Sequence, residues 1–149
     1  MVARRALVEA VDTRLKQIPN LQVFLNRPGN VYGEPDEVPV ATISDNDKRV
    51  HPYVVQYPFG GVSGSDTRVD GQRVGLNWST QITIVTGDED ALDLIVDHVS
   101  VVLDEWRPPV DGVTARMRIP ADFDPGPARR DDAVSPARFW TPRVYRLHT

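Results

Sequence analysis

Apolar residues recur along this chain with two different periods, and the switches between them mark out its elements. Leu7, Val11, Leu15 and Ile18 fall at i, i+4, i+8 and i+11, one face of a 3.6-residue repeat, and predict a first helix over residues 3–18. Pro19 and Asn20 stop it. Leu21 to Leu25 is a short apolar run read as a strand, and Val50 to Tyr57 reads as another, with Pro52 marking an edge or a strand start. From Val74 to Val85 the period becomes two. Val74, Leu76, Trp78, Ile82 and Ile84 alternate with Asn77, Ser79, Gln81 and Thr83, predicting a strand with one buried and one polar face.

The helical period then returns. Leu92, Ile95, Val96, Val99, Val102, Leu103 and Trp106 form an apolar stripe that predicts a second helix ending before Pro108 and Pro109. Thr86 and Glu89 have capping-box spacing at its start. Ala115, Met117 and Ile119 alternate with Thr114, Arg116 and Arg118, predicting a strand over 113–119. Phe139 to Leu147 reads as a closing strand, edge or bulged at Pro142. Three stretches rich in Gly, Pro and polar residues read as loops: residues 26–48, 59–73 and 120–137. Strands linked by hairpins and accompanied by two amphipathic helices imply an α+β fold. The expected architecture is a mainly antiparallel sheet of about four to five strands, with both helices packed on one face, in a single domain over 1–149.

Length and composition agree with one domain. A chain of 149 residues buries roughly two-thirds of its unfolded surface and folds without a disulfide or a metal. There is no cysteine, which excludes a thiol nucleophile and thiolate metal ligands and fits a reducing compartment. No apolar run approaches the ~20 residues that span a bilayer. Glu9 and Asp12 interrupt the N-terminal apolar stretch, so it reads as an amphipathic helix rather than a signal peptide, and no membrane partner is expected. The net charge of −4 argues against a protein that wraps nucleic acid.

Candidate chemistry is sparse. His51, His98 and His148 fall in no metal-ligand spacing, and His98 reads as a plain surface histidine. The serines near Gly61 and Gly64 lack the strand–turn–helix setting of a nucleophile elbow, and the glycines there lack the Gly-Lys-Ser/Thr of a phosphate loop. No catalytic residue, cofactor site or metal site is assigned. The second helix carries Asp88, Glu89, Asp90, Asp93, Asp97, Asp104 and Glu105, with no lysine or arginine from 88 to 106. The first three favour the positive helix start, but Asp104 and Glu105 meet the negative end. Their cost could be offset by Arg116, Arg118, Arg138, Arg143 and Arg146 on the last two strands, within one chain or between chains, or all could simply be solvated.

Residues 52–106 resemble the tail terminator proteins of siphophages infecting actinobacteria. The resemblance rests on a strand ending in Tyr57-Pro58, then Gly60-Gly61 and Ser63-Gly64-Ser65-Asp66. A polar loop with Arg68 and Arg73 follows, then an alternating strand ending in Val85-Thr86-Gly87 and an acid-capped helix with Leu92, Ile95 and Val99. Residues 26–48 and 120–137 match nothing in that family. The resemblance implies a non-enzymatic virion protein, assembled in the host cytoplasm, that closes into a ring, usually of six copies. Such a ring caps the tail tube, ends tube polymerisation and offers a surface to the head–tail connector, while DNA passes through its lumen. The implied partners are the chain itself, the tube protein and the connector or stopper. Residues expected at such contacts are Gly60, Gly61, Ser63, Asp66, Arg68, Asp70 and Arg73 of the loop, Asp97, Asp104 and Glu105 of the helix, and Arg116, Arg118, Arg143 and Arg146 of the strands. Another neck subunit, such as a stopper, is the nearest alternative. A nucleic-acid-binding module and a small enzyme are the alternatives of other classes.

Overall fold

Two helices and a mainly antiparallel sheet make up the computed structural model, which describes residues 4–19, 21–25, 40–44, 47–58, 62–63, 76–132 and 137–148. In chain order the elements are α1 (Arg4–Leu15), β1 (Gln22–Leu25), β2 (Val40–Ser44), β3 (Asp47–Val50), β4 (Tyr53–Pro58), β5 (Val62–Ser63), β6 (Leu76–Thr86), α2 (Glu89–Leu103), β7 (Arg129–Asp131) and β8 (Arg138–His148). The fold is α+β.

The centre of the sheet is the pair β6–β8, antiparallel from Asn77↔His148 to Thr86↔Phe139. β4 lies on the other side of β6, and β7 lies outside β8, so four strands run β4-β6-β8-β7 in antiparallel order. β1 adds to β4 in parallel, from Gln22↔Tyr53 to Leu25↔Gln56. A parallel neighbour needs a crossover of a dozen residues or more. Here residues 26–52 supply it, and they include the separate hairpin β2–β3. Both helices pack on one face, as the apolar spacing requires. Leu7, Val11 and Leu15 of α1 and Leu92, Ile95, Val99 and Leu103 of α2 join Val54, Trp78, Ile82, Ile84, Tyr145 and Leu147 in one buried cluster. The face predicted to be polar is partly buried as well. Tyr53, Val55 and Val85 form a second cluster with Val50 of β3, flanked by Tyr57 and Trp140.

Several sequence expectations need correction. The loop expected over 26–48 contains β2 and β3, which pair with each other in antiparallel. The single strand expected over 50–57 is two, because Pro52 has no N–H for a ladder and separates β3 from β4. The loop expected over 120–137 contains β7. The strand expected over 113–119 does not form. Its alternation survives, with Met117 buried and Arg116 and Arg118 exposed, but its backbone bonds go elsewhere. The Met117 N–H donates to the Trp106 carbonyl, the Glu105 N–H donates to the Met117 carbonyl, and Arg118 makes one isolated bridge to Arg146. The helix cap is Asp88, whose carboxylate accepts from the Ala91 N–H at 2.7 Å, while the Thr86 hydroxyl donates to the Asp88 carbonyl. α2 ends at Leu103, before the prolines, through Glu105 at φ 58.

Pro142 behaves as expected of an edge. Arg146 exchanges both backbone bonds with Arg118 on the side of β8 away from β6. Residues of the same parity point the same way. The missing N–H of Pro142 therefore faces outward, between the partner that Trp140 finds in β7 and the bridge at Arg146.

Candidate functional site

The register of β6 sets where the polar groups at the end of α2 meet those of β8. β4 pairs with β6 as far as Pro58↔Thr80, and β5 continues on the same side to Ser63↔Leu76. The Ser63↔Leu76 pair therefore lies just beyond Asn77↔His148, where β8 ends. α2 starts from the opposite end, after Thr86, and returns along the sheet, so its C-terminus arrives beside β8 near Tyr145.

That arrival is anchored by four polar contacts. The Tyr145 hydroxyl donates to Asp104 Oδ1 at 2.7 Å. Burial, and next the Asp104 acceptor, hold the Tyr145 phenol protonated well above the usual tyrosine range, with Arg143 acting weakly the other way. Glu105 receives both sides of Arg118, with Nε at 3.1 Å from Oε1 and Nη2 at 3.3 Å from Oε2, while Arg116 donates to the Glu105 carbonyl at 2.8 Å. From α1, Arg14 donates its Nε–H to the Val102 carbonyl at 2.8 Å and sits 5.4 Å from the Trp106 ring centre. The last turn of α2 has no basic residue of its own, so Arg14, Arg116 and Arg118 supply the cations its negative end favours. Glu105 is thus paired with Arg118 of its own chain.

The other predicted residues are dispersed. Asp97 lies on the outward side of α2 and Arg146 on the outer face of β8, both exposed and without an ion pair among the described residues. Arg143 is half-buried on the helix-facing side, opposite Ile82. Ser63 is in β5. Gly60, Gly61, Asp66, Arg68, Asp70 and Arg73 lie outside the described residues.

Sequence reasoning missed three features. Arg14 and Trp106 face an open groove of about 780 Å3 between α1 and residues 106–111, bordered also by Ala6, Ala10 and Val110. Only the tertiary contact of α1 with α2 reveals it. Gln56 is fully buried on the helix-facing side of β4. It donates to the Val8 carbonyl of α1 at 3.3 Å and accepts from the Thr80 hydroxyl at 3.2 Å. His98, expected on the surface, is half-buried, and its Nδ1 is buried without a partner among the described residues. No group of three or more His, Asp or Glu is placed to hold a metal among the described residues, and no described helix is long and apolar enough to cross a membrane.

No protein-family model matches the chain, and a search of curated proteins finds no significant relative.

Proposed function

We propose that this chain is a structural subunit of a phage neck, a tail terminator that closes into a ring on the tail tube. The supporting observation is that β4 and β5 both pair with β6, from Tyr53↔Val85 to Ser63↔Leu76, and that in the sequence the motif-bearing segment, residues 59–75, runs between β4 and β6. That segment holds the Gly60-Gly61 and Ser63-Gly64-Ser65-Asp66 residues on which the resemblance rests. The order helix, strands, hairpin, helix, strands agrees with the same reading.

In this role the chain performs no bond-making. It supplies a folded platform, and its partners are further copies of itself, the tube protein and the head connector. Closed rings use unlike patches on each subunit. A net charge of −4 repels passing DNA rather than gripping it, which suits a lumen that DNA must traverse.

The test is to add the purified chain to polymerising tubes of the virus that encodes it and to image the products. Annular density at one tube end, with arrested growth, is the expected result. Tubes that grow on unaffected, with the chain absent from their ends, refute the proposal. Density on the head side of the neck only, with tube growth unchanged, would reassign the chain as a stopper. Deleting residues 65–70 should leave a folded subunit that still ends tubes but no longer joins heads to tails; normal virions from that variant would exclude the segment from head joining.

A further inference from the structure

The side of α2 turned away from its core carries a pattern that the fold itself does not use. Leu92, Ile95, Val99 and Leu103 are buried against the sheet. At 100° per residue the opposite pole falls on Asp90, Leu94, Asp97 and Val101. Leu94 is 55% exposed and Val101 78%, and they are the exposed large hydrophobic residues among those described. Single exposed apolar residues are ordinary. Two on one stripe, beside two carboxylates, define a surface that is apolar along its line and anionic along one side. Asp90 and Asp97 have no ion pair among the described residues, and no lysine or arginine lies on the helix.

A complementary surface exists elsewhere on the chain. On the face of the sheet away from the helices, β8 presents Trp140, Pro142, Val144 and Arg146 in alternation. Val144 and Pro142 are half-buried, and Arg146 is exposed. Arg129 of β7 lies opposite Trp140, with its guanidinium 4.7 Å from that ring centre. Neither Arg129 nor Arg146 has a carboxylate partner among the described residues. Two cations thus bracket an apolar strip along the stretch of β8 whose outer edge carries Pro142. From Trp140 to Arg146 the strip spans about 20 Å at ~3.4 Å per residue. The α2 stripe, Asp90 to Val101, spans about 16 Å at 1.5 Å per residue.

We infer that the outward stripe of α2 and the outer strip of β7–β8 are the two halves of one head-to-tail contact between copies of this chain. This rests on the reading of the chain as a self-assembling subunit and specifies its interface. A symmetric contact of α2 on α2 would set acids against acids, and β8 on β8 would set arginines against arginines. Only the unlike pairing matches charge and apolar surface together. It leaves the first half free at one side of a pair and the second half free at the other, so that further copies can add.

The chain has no cysteine, so two introduced thiols report the contact without interference. Val101→Cys and Val144→Cys are made as separate full-length proteins, with His148→Cys as a second position on the same outer face should Val144→Cys fold poorly. Under mild oxidation the mixed pair should cross-link roughly tenfold faster than either protein alone, as expected for encounter steered by unlike charge. Adding Asp97→Arg to the Val101→Cys protein should abolish that advantage, and Arg146→Asp in the partner should restore it. Equal rates in mixed and single samples, or faster linkage of Val101→Cys with itself, would overturn the inference. Failure of the tail-cap reading is read separately. Cross-linking as expected with no effect on tubes removes the cap and leaves the contact, whereas rings that cap tubes without this cross-link do the reverse.

Discussion

Replacing Tyr145 with phenylalanine removes one oxygen atom from the joint between α2 and β8. The ring of Tyr145 is fully buried and its hydroxyl donates to Asp104 Oδ1 at 2.7 Å. A hydrogen bond to a charged acceptor contributes roughly 1.5–3 kcal/mol. Asp104 is exposed, so water can take over as its donor when the hydroxyl is gone, which places the expected loss for Tyr145→Phe near the lower end, at about 1–2 kcal/mol. The packing of the ring is unchanged, so no cavity adds to this figure. Urea unfolding at neutral pH measures it directly, and a double-mutant cycle with Asp104→Ala should show that most of the loss is shared by the pair.

The pH dependence gives a second readout of the same bond. The folded state holds the Tyr145 proton well above the usual tyrosine range, while the unfolded chain releases it near the ordinary value of about 10. Below that value both states are protonated and the full contribution is present. Above it the unfolded state loses the proton first, and stability falls by about 1.4 kcal/mol per pH unit for this group. The advantage of the wild type over Tyr145→Phe should therefore fade between about pH 10.5 and 11.5. A difference below ~0.3 kcal/mol at neutral pH, or one that grows in alkali, would refute the assignment of Asp104 and Tyr145 as a working pair.

Four further outcomes follow from the structure. Gln56→Leu should destabilise by about 1–3 kcal/mol in thermal or urea unfolding, because it strands the Thr80 hydroxyl, whose alternative acceptor, the Tyr57 carbonyl, is 3.5 Å away. Asp88→Ala should cost about 1 kcal/mol by leaving the Ala91 N–H uncapped, whereas Thr86→Ala tests the alternative cap and should leave that N–H bonded. Glu105→Gly should leave stability within about 0.5 kcal/mol of the wild type, since relief of the left-handed backbone at φ 58 offsets the loss of an exposed pair with Arg118. Gly126→Ala should destabilise by about 1 kcal/mol through its φ of 69 alone, because no atom lies near enough to clash with the added carbon.

The sequence by itself determined the parts of this protein that depend on spacing along the chain. Leu7, Val11 and Leu15 could bury only as one face of a helix, and Trp78, Ile82 and Ile84 only as one face of a strand, so both helices, the central strands and the α+β class were legible. Local propensity could not announce partners distant in sequence. β1 pairs in parallel with β4 across a long crossover, and β7 exists because Trp140, Phe139 and Arg138 of β8 give three residues a ladder to join. Residues 113–119 kept the alternation of a strand yet spend their backbone bonds on Trp106, Glu105 and Arg146, the groups that the end of α2 and β8 bring alongside them. The same holds for the polar residues. The acids of α2 were visible in the sequence, but which were already matched was not. Only the folded chain brings Tyr145 to Asp104 and Arg118 to Glu105 while leaving Asp90 and Asp97 facing outward. Periodicity records which side of an element turns inward; the destination of each hydrogen bond depends on which distant segment the packing delivers to it.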